Sequence, residues 1–154
     1  MTAIIDSSVF APSSAHPART RTEGLPMLDD TTVENLRRHW DEGWNAGDLA
    51  TIMEPFAADV VFSSPFVPRL TGDPAKKTID GFEALSGYVD YALRRTPGIR
   101  YTLDAVYAGT DAVVLAYTCH APDGTVRRGA DSMRVDATGK VVEWNCHYSH
   151  DSMS

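Results

Sequence analysis

Apolar residues recur at two periods along this chain, and the change from one to the other divides it. Up to about residue 95 the repeat is mainly that of helices; from Ile99 onward it is that of strands. Val33, Leu36, Trp40 and Trp44 fall three or four residues apart, with Arg37, Arg38, Asp41 and Glu42 pointing elsewhere. That spacing predicts an amphipathic helix. Thr31 or Thr32 can cap its start, with Glu34 in the first turn, and Asn45-Ala46-Gly47 ends it. Asp48 then caps a short second helix running to about Phe56, with Leu49, Ile52, Met53 and Phe56 inward. Residues 59–64 read as a strand stopped by Pro65, with Asp59 in a turn or cap role. A loop containing Pro and Gly follows to Asp80, long enough to suggest a lid or mouth. Gly81 to Arg95 is a third helix, with Phe82, Leu85, Tyr88, Val89 and Ala92 as its stripe, stopped by Thr96-Pro97-Gly98.

Four strands come next: residues 99–107, 112–120, 125–135 and 140–149. They turn at Gly109-Thr110-Asp111, at Pro122-Asp123-Gly124 and at Asp136 to Gly139. Helices gathered early and antiparallel strands gathered late predict an α+β fold, with helices on one face of a curved sheet. A sheet closed in this way leaves a conical pocket suited to a small molecule. Residues 1–28 lack periodicity and are rich in Ser, Ala, Pro, Thr and Arg, which predicts a flexible arm ahead of a single domain over 29–150. Ile4-Ile5 and Val9-Phe10 are its apolar points, placed to dock on a partner subunit if the arm orders at all.

Alternation in the last two strands brings chemistry into the picture. Asp131, Met133 and Val135 share one face; Val142, Trp144, Cys146 and Tyr148 share the facing one. One carboxylate among Met, Trp and Tyr is partly desolvated, which raises its pKa and suits it to carry protons. At a strand end the same Asp is simply hydrated. The net charge of −7 argues against nucleic acid or an anionic membrane as partner. No apolar run reaches transmembrane length, and the N-terminus lacks the basic-then-apolar pattern of a secretory signal, so a cytoplasmic protein is expected. Cys119 and Cys146 fit reduced core thiols, although a bridge between neighbouring strands is left open. His147 alternates away from Trp144 and Tyr148, and His120 lies beside a hairpin turn. Together with His150, these residues show no familiar metal-ligand spacing, and alternation sends Cys146 and His147 to opposite faces. Ser63-Ser64 lacks the context of a nucleophilic serine, and no phosphate loop or dinucleotide fingerprint occurs, so no cofactor is expected.

The layout, together with Trp44-Asn45-Ala46-Gly47-Asp48-Leu49, residues 56–62 leading to Ser64-Pro65, Gly81, residues 131–135 and Gly139 to Trp144, resembles the NTF2-like superfamily and within it the SnoaL-like proteins. The resemblance covers about residues 31–149 and implies the NTF2-like cone: three helices on a curved, mostly antiparallel sheet. In polyketide cyclases of the SnoaL type an Asp in the strand before the final hairpin is the general acid/base, and Asp131 stands there. Ketosteroid isomerases look similar and hold an oxyanion-stabilising acid at that place. Their base position is Ser64 here, and their helix Tyr is Trp40, which argues against steroid isomerisation by that route. Limonene-type epoxide hydrolases use two Asp with an Arg between them in space; residues 144–150 offer no carboxylate, and the Arg-x-Asp of Arg134 and Asp136 sits at a turn, which argues against that chemistry.

The resemblance therefore implies cofactor-free cyclase, isomerase or dehydratase chemistry on a small, apolar, carbonyl-bearing molecule. Asp131 would be the catalytic residue, with Trp40, Trp44, Phe62, Tyr88, Met133, Trp144, Cys146 and Tyr148 against the substrate. Trp40 and Tyr148 would position it. A homodimer through the outer sheet face is also implied, helped by the apolar residues on both faces of 113–120. The contrasting expectation is a non-catalytic ligand-binding or dimerisation module of the same fold.

Overall fold

Asp29 opens the first helix. Its carboxylate accepts from the Thr32 backbone N–H and hydroxyl at 2.9 and 2.8 Å, so the cap falls ahead of the two expected threonines. A carboxylate one residue before the first turn meets the unpaired N–H groups there, and Thr32 becomes donor instead of cap. The computed structural model describes residues 24 to 152. The expected arm falls largely on residues 1–23, outside that range, with its apolar points Ile4-Ile5 and Val9-Phe10. Near its end, the Leu28 N–H donates to Gly109 O at 2.9 Å.

The elements run α1 (Asp30–Ala46), α2 (Leu49–Met53), β1 (Phe56–Ser63), α3 (Val67–Thr71), β2 (Thr78–Asp80), α4 (Phe82–Arg95), β3 (Arg100–Ala108), β4 (Ala112–His120), β5 (Val126–Val135) and β6 (Val141–Tyr148). A 3-10 turn, His150–Ser152, follows. Three local expectations are corrected. The second helix stops at Met53, and Phe56 begins the strand rather than closing the helix. Pro55 lies between the two, and it has no N–H with which to continue the helical ladder past Glu54. Asp59 is then an exposed residue inside β1. The segment expected as a loop to Asp80 holds α3 and β2. β2 is only three residues long, too short for its alternation to stand out.

The sequence Trp44 to Leu49 joins the two layers. Gly47 takes a left-handed φ of 64° and closes α1 by donating to the Gly43 and Trp44 carbonyls. Asp48 caps α2. Just before them, in the last turn of α1, Asn45 bonds the backbone of Tyr101 in both directions, at 2.9 and 2.8 Å. A side-chain amide carries one donor group and one acceptor, so it pairs with a β3 residue as a neighbouring strand would and pins the helix to the sheet.

One six-stranded sheet has the order β2-β1-β6-β5-β4-β3. Every pairing is antiparallel except that of β1 with β6. The helices cover one face, where Leu36, Trp40, Ile52, Leu85 and Val89 meet Val60, Phe62, Leu115 and Trp144 in a single core. Between β5 and β6 the register slips: Arg134 faces Glu143, but Val135 faces Val141. This bulge leaves Val142 without a partner and shifts the face by one residue. Val141, fully buried, takes the inner place expected of Val142. Beyond the slip, Trp144 and Cys146 face inward as the alternation predicts, Tyr148 borders the cavity, and His147 is exposed.

Candidate functional site

Asp131 sits midway along β5, opposite Leu115 of β4 and Cys146 of β6. Its side chain is all but removed from solvent, at 2% exposure. Three neutral donors hold it. The Trp40 and Trp144 indole N–H groups both donate to Oδ2, at 3.2 and 3.1 Å, and the Tyr117 hydroxyl lies 3.1 Å from Oδ1. The Cys146 thiol is a fourth partner. Among the described residues no cation pairs with the carboxyl. Burial therefore dominates and pushes its pKa up, against the downward pull of the four donors.

Sheet register explains this constellation. Tyr117 pairs with Gly129 and Trp144 with Met133, each two residues along from the residue facing Asp131. Diagonal neighbours on one sheet face lie within reach of long aromatic side chains. Trp40 comes down from α1 and closes the third side, its ring centroid 4.6 Å from that of Tyr117. Gly129 makes room for this arrangement. A Cβ built there would meet the Tyr117 ring and hydroxyl at 2.6 Å, so a side chain at that place would displace the donor.

A cavity of about 370 Å³ opens over this face of the sheet. Of the residues expected against a substrate, Trp40, Trp44, Phe62 and Tyr88 line it, as do Trp144, Cys146 and Tyr148; Asp131 lines it too. Met133 does not. It is buried in the core at 3% exposure, beyond Asp131 on the strand and away from the opening. Trp40 and Trp144 act on the carboxyl directly as donors; the Trp40 N–H is placed to do so by the sequence reading as well, and for Trp144 the role goes beyond the lining expected of it.

Sequence reasoning misses Tyr117 as a partner of Asp131. The signal was present. Every pair in the β4–β5 hairpin is equidistant from Asp123, the middle of the expected turn. Counting outward from that residue sets Tyr117 one diagonal step from Asp131. Ser64 was also undervalued. It is 8% exposed, and its hydroxyl meets those of Tyr88 and Tyr148, while Tyr148 in turn meets Tyr117. A line of hydroxyls thus leads from Asp131 along the cavity wall. Burial raises the pKa of each tyrosine, that of Tyr88 to about 12, so all three stay protonated as donors near neutrality. Cys119 and Cys146 are free thiols, and burial pushes both up and keeps them unreactive.

A SnoaL-like domain model matches residues 36–144, most of the chain and most of the elements just described. The chain belongs to the SnoaL-like domain family. Solved structures agree on the NTF2-like fold. A SnoaL-like protein of unknown function from Burkholderia thailandensis is 27% identical, with a TM-score of 0.70 over 80% of this chain and 98% of that one. SalBIII, an epoxide hydrolase/cyclase-like enzyme of pyran ring formation in the polyether salinomycin, is 16% identical, with a TM-score of 0.62 over 80% and 95% of the two chains. A computationally designed 17-OHP binder is 19% identical, with a TM-score of 0.60 over 77% and 93%. Among curated proteins, none matches the chain. The family thus sets the scaffold, and the site has to be read from its own residues.

Proposed function

We propose that this SnoaL-like protein is a cofactor-independent acid/base enzyme, a cyclase, isomerase or dehydratase, acting on a small, mostly apolar, carbonyl-bearing molecule. The observation that carries the reading is Asp131: a buried carboxyl with no cationic partner among the described residues, held by neutral donors, on the wall of an open aromatic cavity. Buried carboxyls usually meet a cation that makes them permanent anions and poor bases. This one keeps its affinity for a proton.

The donor geometry assigns its two oxygens different tasks. An indole N–H only donates, so Oδ2, with two of them, carries no proton. A proton on the carboxyl occupies Oδ1, beside the Tyr117 hydroxyl. In the proposed reaction Oδ1 takes a proton from the carbon next to the substrate carbonyl, and the C–H electron pair moves into an enolate. The hydroxyls of Tyr148 and Tyr117 stabilise the oxyanion. Return of the proton to another carbon gives isomerisation. Attack of the enolate carbon on a second carbonyl of the substrate gives cyclisation. Loss of a β-hydroxyl, protonated as it leaves, gives dehydration. The aromatic walls exclude water from each step. For association, the outer sheet face, where Val114 and Ala116 are only half-buried, supports a homodimer, testable by light scattering.

The test is the proton affinity of Asp131, followed through its side-chain carboxyl carbon by NMR across pH and assigned with Asp131→Asn. The expected apparent pKa lies well above the ordinary value of about 3.9. A normal or depressed value removes the acid/base reading and leaves a ligand-binding module.

A further inference from the structure

Three guanidinium groups line the same cavity: those of Arg69 on α3, Arg95 at the end of α4 and Arg127 on β5. In a chain of net charge −7, that is an unusual convergence. Among the described residues, Asp131 is the one acidic side chain on the cavity wall. None of the three arginines makes an ion pair with a described residue. Arg127 instead lies against aromatic rings, its Cζ 5.0 Å from the Phe66 centroid and 6.0 Å from that of Tyr148. Its Nε is buried and has no hydrogen-bond partner among the described residues. Native proteins rarely leave a buried donor unanswered, and a donor left so on a cavity wall points to a ligand.

We propose that the substrate is an organic acid with a ring-bearing apolar body, and that Arg127, helped by Arg69 and Arg95, holds its carboxylate. This rests on the cavity being the substrate site, as read above. The planar guanidinium fork matches a carboxylate, and stacking on Phe66 and Tyr148 holds that fork in place without neutralising it. The remaining walls are largely aromatic and aliphatic and suit the ring body. Strand alternation fixes the orientation. Arg127, Gly129 and Asp131 share one face of β5, with the first and last about 13 Å apart along the strand. Gly129, lacking a side chain, lets the Tyr117 ring lie over the strand between them, so an aromatic wall runs from one group to the other. The acid group lies at Arg127, and the reacting carbon reaches toward Asp131. Turned the other way, the substrate would bring its charge against the Asp131 carboxyl, so the wrong orientation is disfavoured as well as the right one favoured. Arg69 and Arg95 are exposed and draw an anion toward the opening.

The test compares neutral and anionic probes of one shape: naphthalene-2-carboxylate with naphthalene-2-carboxamide, and anthracene-9-carboxylate with its amide. Binding is read by quenching of tryptophan fluorescence, since Trp40, Trp44 and Trp144 all line the cavity. At low salt the acids bind at least about tenfold tighter than the amides. Arg127→Gln brings the two within about twofold, chiefly by weakening binding of the acids. Arg127→Lys keeps part of the preference, since it keeps the charge and loses the fork. Should Arg127→Gln fail to fold, the exposed pair Arg69→Gln with Arg95→Gln carries the test, with a preference reduced several-fold. Equal binding of acids and amides, no binding of either at about 1 mM, or a preference that survives all the Arg variants overturns the proposal. The readout does not depend on proton transfer. An acid preference with a normal Asp131 pKa sinks the enzymatic reading and keeps this one; a raised pKa without the preference does the reverse.

Discussion

At the floor of the cavity both oxygens of Asp131 face a donor, whereas at its mouth three guanidiniums face no anion among the described residues. The floor is complete in itself. Its donors are neutral, buried and supplied by strand register and one helix, so the carboxyl gains orientation without losing its proton affinity. The mouth is charged, more exposed and assembled from three separate elements, and in the proposal above a ligand's carboxylate completes it. The contrast separates two tasks that one pocket has to perform. On the proposed reading, desolvation tunes the reacting group, and charge selects and turns the molecule brought to it.

Substitution at Asp131 gives the sharpest break in this contrast. Asp131→Leu leaves two indole N–H groups and a hydroxyl buried without their carboxyl partner, at about 1–3 kcal/mol each. A net loss of about 3 kcal/mol in denaturant unfolding is expected. Asp131→Asn offers its carbonyl to both indoles and its amide to the Tyr117 oxygen, and at pH 7 it is at least as stable as the native chain. The sign follows from linkage. A carboxyl with a raised folded pKa binds more protons folded than unfolded, so its contribution to stability is full below about pH 3.9 and declines as pH rises to the raised value. The stability of the native chain minus that of the Asp131→Asn variant therefore falls over that window, with a slope of up to about 1.4 kcal/mol per pH unit. A flat difference, or an Asp131→Asn variant as unstable as Asp131→Leu, contradicts the account of the floor.

Smaller changes sharpen the comparison. Gly129→Ala forces a methyl into the Tyr117 ring and costs about 1–3 kcal/mol. Its unfolding midpoint checks this, and an unchanged midpoint means that the ring is loosely held. Tyr117→Phe removes one donor from Oδ1, costs about 1 kcal/mol at pH 7 and moves the carboxyl pKa further up. Carbon NMR of Asp131 in that variant reads the direction. At the mouth, Arg95→Gln stays within about 0.5 kcal/mol of the native chain by thermal melting, because the side chain is exposed and has no ion pair with a described residue to lose.

The floor was more legible in the sequence than the mouth, for a physical reason. Alternation alone turns Asp131, Trp144 and Cys146 inward, and family-specific residues around Asn45 and Asp131 pointed to the fold. Where alternation failed, a bulge intervened: Val142 was expected inside, and Val141 is there. Where a partner was missed, as with Tyr117, it lay across a hairpin whose register could have been counted from Asp123. The threonine caps and the long loop failed on short-range detail, a neighbouring carboxylate in one case and a three-residue strand in the other. The arginines are another matter. Arg69, Arg95 and Arg127 come from α3, α4 and β5, and no periodicity along the chain brings such distant residues to one opening. Their convergence exists only in the folded molecule.

The parallel pairing of β1 with β6 also bears on how the chain is made. On a ribosome, the early helices and β1 emerge with one edge of that strand unpaired, and the residues that close it, Glu143 to Asn145, come roughly eighty positions later. The hydrogen bond from Trp40 to Asp131 spans a similar gap of 91 residues. Contacts this distant slow folding, because the chain has to close long loops before they form. Nascent β1, with its consecutive Val60, Val61 and Phe62, is thus a segment open to wrong pairing during synthesis. The carboxyl site comes into existence only when the last strand arrives, so an incomplete chain holds no working half of it.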